Sequence, residues 1–341
     1  MHTHRWRLLI SVGLSIGIII LAYINRHHIQ ESFSLLRQIQ PIWIVLALTI
    51  ELVSFFVASQ VYHRVLHSLG YKLGIVRIWA TALVAIVVSQ SVPAGGVASY
   101  AFLMQSFRRS GIPSGHSALL ASLEALSYAA AMLLFFVFSI FYIAAYSTGG
   151  TPEGTMIAAG VGTFVISGAV YVLTRDQEML ADWLLKIKNT IARILRRNWS
   201  DGPILRIVED LACGRSLIIT RRSEVLRLIG IQLCALCGHS IALLIVLHSL
   251  GATTSIFVVM SAFGVALISS TFNVLPGGGG TVEAAVVLSL QSLGVGNEAI
   301  SAAVIFRLLN FWLLIPVVAI CYRWIMHGSA VQATTVVSAE Q

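Results

Sequence analysis

The stretch Asn273-Val-Leu-Pro-Gly-Gly-Gly-Gly-Thr-Val-Glu283 decides how this chain folds. It lies between two apolar runs. Four consecutive glycines do not hold a helix, since each costs about 1 kcal/mol relative to alanine and a proline about 3 kcal/mol. In lipid, a broken helix leaves backbone N–H and C=O groups without partners, so a break at membrane depth must be buried in protein or line a polar cavity. The segment is therefore either an extramembrane turn or the bottom of a re-entrant hairpin. A second copy separates the readings: Val92-Pro-Ala-Gly-Gly-Val97 carries the same pattern 183 residues earlier.

The offset extends beyond the motif. Pro93 maps to Pro276, Gly95 to Gly278, Gly96 to Gly279 and Gly111 to Gly294. Ser117–Val137 falls on Ile300–Ile320, both apolar, and Glu124 falls on Arg307. Upstream, His67-Ser-Leu-Gly70 recurs as His248-Ser-Leu-Gly251, a shift of 181 that places Glu51 on Gln232. Matches in the same order at nearly equal spacing read as a duplicated unit.

Composition sets the class. Of 341 residues, 57% are hydrophobic and 11% charged, against about 25% charged in a soluble domain. With a mean hydropathy of +0.87, the chain reads as an all-α polytopic membrane protein. Cys213, Cys234, Cys237 and Cys321 form no disulfide framework, and the CxxC of Cys234 and Cys237 falls inside an apolar run with no second pair, which favours packing over a metal.

Along the chain, residues 1–40 give a first spanning helix, Trp6–Tyr23, and an outer interfacial segment. Residues 41–146 form the core of the first repeat, with a hairpin over 77–109. Its first arm, Arg77–Val92, is about 24 Å of helix, short of the bilayer's about 30 Å hydrocarbon core. Residues 147–224 hold another span, Glu153–Thr174, and a polar insert whose Leu180, Trp183, Leu184, Ile187, Ile191, Ile194 and Leu195 oppose a basic face. Such a helix lies on the membrane surface. Residues 225–323 form the second repeat, with a hairpin over 255–293, and 324–341 read as a disordered cytoplasmic tail. The total is six spans and two re-entrant hairpins in two inverted repeats.

Charge placement agrees with this topology. With both termini inside and both broken segments as hairpins, 19 of the 22 Lys and Arg are cytoplasmic, Arg26 and Arg37 are outside, and Arg307 lies within a span. That asymmetry is the positive-inside bias. It accounts for the net charge of +8 through anionic lipid headgroups and without nucleic acid. The location expected is a bacterial cytoplasmic membrane.

The motifs Pro93-Ala-Gly-Gly, Pro276-Gly-Gly-Gly-Gly-Thr-Val-Glu283, Gly294-Val295 and the intrahelical Arg307 together resemble the transmembrane region of the lysylphosphatidylglycerol synthase/flippase family, over most of the chain. The resemblance implies a lipid flippase or a membrane protein of lipid and glycolipid handling. Synthesis in that family belongs to a separate soluble domain, which the residues after Arg323 do not supply, so synthase activity is not carried over. The family's first motif carries an acidic residue after the glycines, where this chain has Ala98, Ser99 and Tyr100.

Ionisable side chains within spans are the candidates for function. Glu51, Glu124 and Arg307 each lie about ten residues into a span, about 15 Å deep, and Glu283 follows the second glycine break. One reading makes Glu124, Glu283 and Arg307 an ion-pair cluster closing the hairpins. The other makes them, with Glu51, a headgroup cavity in which Arg307 holds phosphate and a carboxylate holds any cationic part. The hairpin motif itself is Pro93, Gly95, Gly96, Pro276, Gly277, Gly278, Gly279 and Gly280. His239 and His248, alone on one span, read as hydrogen-bonded structural groups. No nucleotide, metal, cofactor or nucleophile motif is present, so the expected activity is movement of an anionic or zwitterionic lipid, or a lipid-linked precursor, between leaflets. The alternatives are a membrane-embedded lipid enzyme using Glu51 or Glu124 as base, and a non-catalytic scaffold. Partners beyond membrane lipids, a second copy or a lipid-biosynthesis protein, stay open.

Overall fold

The computed structural model describes residues 40–91, 95–147, 222–271, 280–327 and 334–335. Among the described residues, four helices are long and apolar enough to cross a bilayer: Pro41–Ser68, Ser114–Tyr146, Arg222–Ser249 and Glu298–Met326. At 28 to 33 residues they measure about 42–50 Å, beyond the about 30 Å of hydrocarbon they have to traverse. Two of the six expected spans, Trp6–Tyr23 and Glu153–Thr174, lie outside the described residues, as does the amphipathic insert.

In chain order the helices are α1 (Pro41–Ser68), α2 (Ile75–Ser91), α3 (Gly95–Arg109), α4 (Ser114–Tyr146), α5 (Arg222–Ser249), α6 (Ile256–Thr271), α7 (Thr281–Ser292), α8 (Glu298–Arg307) and α9 (Leu314–His327), with a π-helical segment, Leu308–Trp312, joining the last two. Pro41 opens α1, where its fixed φ suits the first turn and its missing N–H costs nothing. The strand pair is minimal: β1 (Tyr71–Lys72) runs antiparallel to β2 (Thr334–Thr335). The last helix runs to His327 and Thr334–Thr335 is paired, so the tail expected from residue 324 is structured in those parts.

The sequence repeat returns as repeated local structure. Gly111 and Gly294 both adopt positive φ, 82° and 89°. Gly111 N–H donates to Arg108 O and Ile112 N–H to Phe107 O; Gly294 N–H donates to Gln291 O and Val295 N–H to Leu290 O. This is the Schellman ending, in which glycine takes the left-handed position that a Cβ disfavours. The two His-Ser-Leu-Gly turns close α1 and α5 in the same way. Gly70 and Gly251 have φ of 79° and 87°, and Ser68 and Ser249 each donate back to the carbonyl three residues earlier.

Packing crosses between the halves. α1 lies along α5; α2 packs on α3 and α9; α6 packs on α7 and α4. Two apolar cores result. One gathers Tyr62, Leu66, Ile78, Leu83 and Phe107 with Phe311 and Leu314. The other gathers Ala47, Phe135, Leu243, Phe263, Leu290 and Phe306. Gly264 permits the tight α6–α4 approach, since a Cβ there would lie 2.8 Å from Phe135 O. Outward positions are apolar as well: Ile42, Val53, Leu134, Leu226 and Ile320 are each more than half exposed, the inverse of a soluble surface and the expected face toward lipid.

Candidate functional site

The middle of the last span carries the site. The helix widens to π geometry directly after Arg307, and Leu313 N–H reaches back five residues to Leu308 O. π turns inside α-helices concentrate at functional positions. The wider turn sits where Arg307 and Asn310 project toward two different polar partners.

Arg307 ties together the flanks of both helix breaks. Its Nη1–H donates to Gln90 Oε1 at 3.0 Å, and Gln90 lies in the last turn of α2, just before the Pro-Ala-Gly-Gly break. Its Nε lies 3.0 Å from Glu283 Oε1, in the first turn of α7, just after the glycine run. The guanidinium carbon stands 4.7 Å from the centre of the Phe311 ring, a cation–π distance. Both charged side chains keep some access, 13% for Arg307 and 21% for Glu283, and Glu283 Oε2 has no hydrogen-bond partner among the described residues. Gly280, φ 87°, makes the turn that starts α7, and the carboxylate of Glu283 sits at that helix's positive end. Pro93 and Pro276–Gly279 lie outside the described residues; Gly95 and Gly96 begin α3.

A second polar cluster is organised by Glu51, which is wholly buried. Asn310 Nδ2–H donates to Glu51 Oε1 at 3.0 Å, and His239 Nδ1 shares a hydrogen bond with Glu51 Oε2. The imidazole is held against Phe55, centroids 4.8 Å apart, and Phe263, at 6.1 Å. α5 comes close enough for this because Gly238 faces Ser54, whose Oγ would be 2.1 Å from any Cβ there.

Glu124 stands apart from both. It shares a hydrogen bond with Tyr62 of α1 and interacts with Tyr128 one turn along α4. The repeat register placed Glu124 opposite Arg307, and the anticipated three-membered ion-pair cluster is replaced by a pair, Arg307 with Glu283. The four candidates therefore divide among three places. Gln90, Asn310, His239 and Tyr62 are the partners that sequence reasoning did not assign. A fully buried carboxylate requires donors, and that requirement was the available signal for His239 and Asn310.

Long apolar helices, broken short helices beside them and charged groups at span mid-depth define a multi-pass, all-α membrane protein. The lysylphosphatidylglycerol synthase transmembrane-region family matches residues 8–317, and the chain belongs to that family. It is similar to a UPF0104 membrane protein of Methanocaldococcus jannaschii, 20% identical over 309 residues, which cover 89% of this chain and 90% of that protein. It is also similar to a UPF0104 membrane protein of Methanothermobacter thermautotrophicus, 20% identical over 321 residues, or 91% and 93% of the two chains.

Proposed function

We propose that the protein moves a phosphate-bearing lipid, a phospholipid or a lipid-linked precursor, between the leaflets of a cytoplasmic membrane, and that Arg307 holds the headgroup phosphate. The observation that carries this reading is the placement of one guanidinium between Gln90 and Glu283, the flanks of two helix breaks in opposite halves of the chain. A cation at mid-depth is costly unless paired or in a polar cavity. Here its pairing depends on both breaks at once. A phosphate that displaces Glu283 from Arg307 would loosen the link between them, and broken helices around a midplane site are how alternating-access carriers are built.

The reciprocal packing of α2 on α9 and α6 on α4, with the paired glycine turns, supports an inverted-repeat arrangement with two re-entrant hairpins. In this reading Glu124, beside Tyr62 and Tyr128, takes the cationic part of a zwitterionic headgroup, since a carboxylate attracts an ammonium strongly away from bulk water. No chemical conversion of the lipid is involved. The test is leaflet exchange in liposomes containing the purified chain. Fluorescent phosphatidylglycerol should exchange faster than in empty liposomes, and a neutral glycolipid without phosphate should not. Equal acceleration of both probes, or of neither, overturns the reading.

A further inference from the structure

We infer that Glu51 and His239 form a proton-binding site whose occupancy drives the movement of lipid; the second half of this inference rests on the transport reading above. The site lies where the two apolar cores meet. On α1, Ala47 belongs to one core and Phe55 to the other, with Glu51 midway. On the last span, Leu309 belongs to one and Phe311 to the other, with Asn310 between them. A polar group on this seam senses any displacement of one half against the other.

The charge balance of the site depends on one proton. Glu51 is wholly buried, and His239 retains 8% exposure, so the imidazole is the side through which a proton enters. With a proton on Nε2 as well as Nδ1, the pair is imidazolium and carboxylate, net zero. With Nε2 bare, Nδ1–H and the Asn310 amide donate to a carboxylate that no cation balances. A buried uncompensated charge costs several kcal/mol.

Among the described residues, the surroundings supply no substitute cation. α2 carries a single charged residue, Arg77 in its first turn, and α6 carries none. Lys72 lies in β1, beyond the end of α1. α4 brings Glu124, which meets α1 at Tyr62, three turns from Glu51, and its His116 meets Tyr71. The other charged groups of α5 are Arg222, Glu224 and Arg227 at its start and His248 at its end. Glu298 and Arg307 lie at the two ends of α8, and Arg307 is engaged with Glu283 and Gln90. Release of the proton therefore favours a state in which the seam opens to water, and rebinding favours the packed state. Asn310 lies three residues after Arg307 on the same helix, so the seam and the headgroup site move as one element.

Two readouts test this on the full-length chain. Infrared difference spectra of the solubilised protein between about pH 5 and about pH 9, a window that brackets histidine titration, should show one imidazole–imidazolium change, accompanied by a shift of a buried carboxylate band, that vanishes in His239→Gln and loses its carboxylate part in Glu51→Gln. In liposomes, a gradient of one pH unit should bias the distribution of fluorescent phosphatidylglycerol by up to about tenfold, the limit for one proton per cycle. Glu51→Gln, which keeps both hydrogen bonds, should bring that bias to one. Absence of the infrared change in the wild type overturns the proton site whatever the lipid result. A titrating imidazole with no bias, in liposomes that do exchange lipid, overturns the coupling. No exchange under any condition refutes the transport reading instead, while the infrared result still decides the site.

Discussion

Arg307→Ala leaves Glu283 at mid-depth without its cation. Removing one partner of a buried pair costs about 3–5 kcal/mol, and an exposed pair contributes about 0–1 kcal/mol. Side-chain exposures of 13% and 21% put this pair near the buried end, and loss of the Phe311 contact and of the Gln90 hydrogen bond adds to the cost. The expected destabilisation is about 3–4 kcal/mol, a fall of about 160- to 900-fold in the folded-to-unfolded ratio. Reversible denaturation in mixed micelles measures it. The repeat register alone would make Glu124→Gln the compensating change; the structure assigns that role to Glu283→Gln. The Arg307→Gln, Glu283→Gln double variant removes both charges and should recover most of the stability while lipid exchange stays at the empty-liposome level. Recovery by Arg307→Gln, Glu124→Gln instead would refute the pairing, and full exchange in Arg307→Ala would refute the headgroup site.

Two further predictions follow from packing and from topology. Gly264→Ala should destabilise by about 1–3 kcal/mol through overpacking, and Ser139→Ala should not rescue it, because the added Cβ also meets the backbone at Phe135; full rescue would show that only the hydroxyl was in the way. In a cysteine-free background, Asn297→Cys should react with an impermeant thiol reagent from outside and Ser114→Cys only from inside, since Asn297 lies in an exposed turn, Ser114 is the exposed first residue of α4 and the Lys/Arg asymmetry sets their sides. Labelling of both from one side would exclude the inverted arrangement.

The helix layout was legible because it depends on local chemistry. Proline beside clustered glycines breaks a helix and a glycine just past a helix end takes the left-handed position, so the breaks near Pro93 and Pro276 and the turns at Gly70, Gly111, Gly251 and Gly294 could be placed from residue type. Helices Ile75–Ser91 and Gly95–Arg109 flank the first break and pack on each other, as Ile256–Thr271 and Thr281–Ser292 do beside the second. Position along each span was legible too, because a helix advances about 1.5 Å per residue, and Glu51, Glu124 and Arg307 lie well inside the spans Pro41–Ser68, Ser114–Tyr146 and Glu298–Met326.

What depth does not give is direction around the helix axis. Glu124 and Arg307 share a register position, yet Glu124 meets α1 at Tyr62 and Arg307 meets the flanks of the breaks. The π segment adds to this. Its wider turn rotates everything beyond residue 307 relative to an ideal helix, and no residue in Leu-Leu-Asn-Phe-Trp announces it. Asn310 reaches Glu51 within that segment. His239 had a local signal whose meaning depended on a distant helix: the preceding Gly238 has no Cβ, so α5 can lie against Ser54 of α1, one turn from Glu51. A small residue beside a histidine at mid-span marks a close helix approach, and a buried carboxylate on the opposing helix turns that approach into a proton-sharing pair.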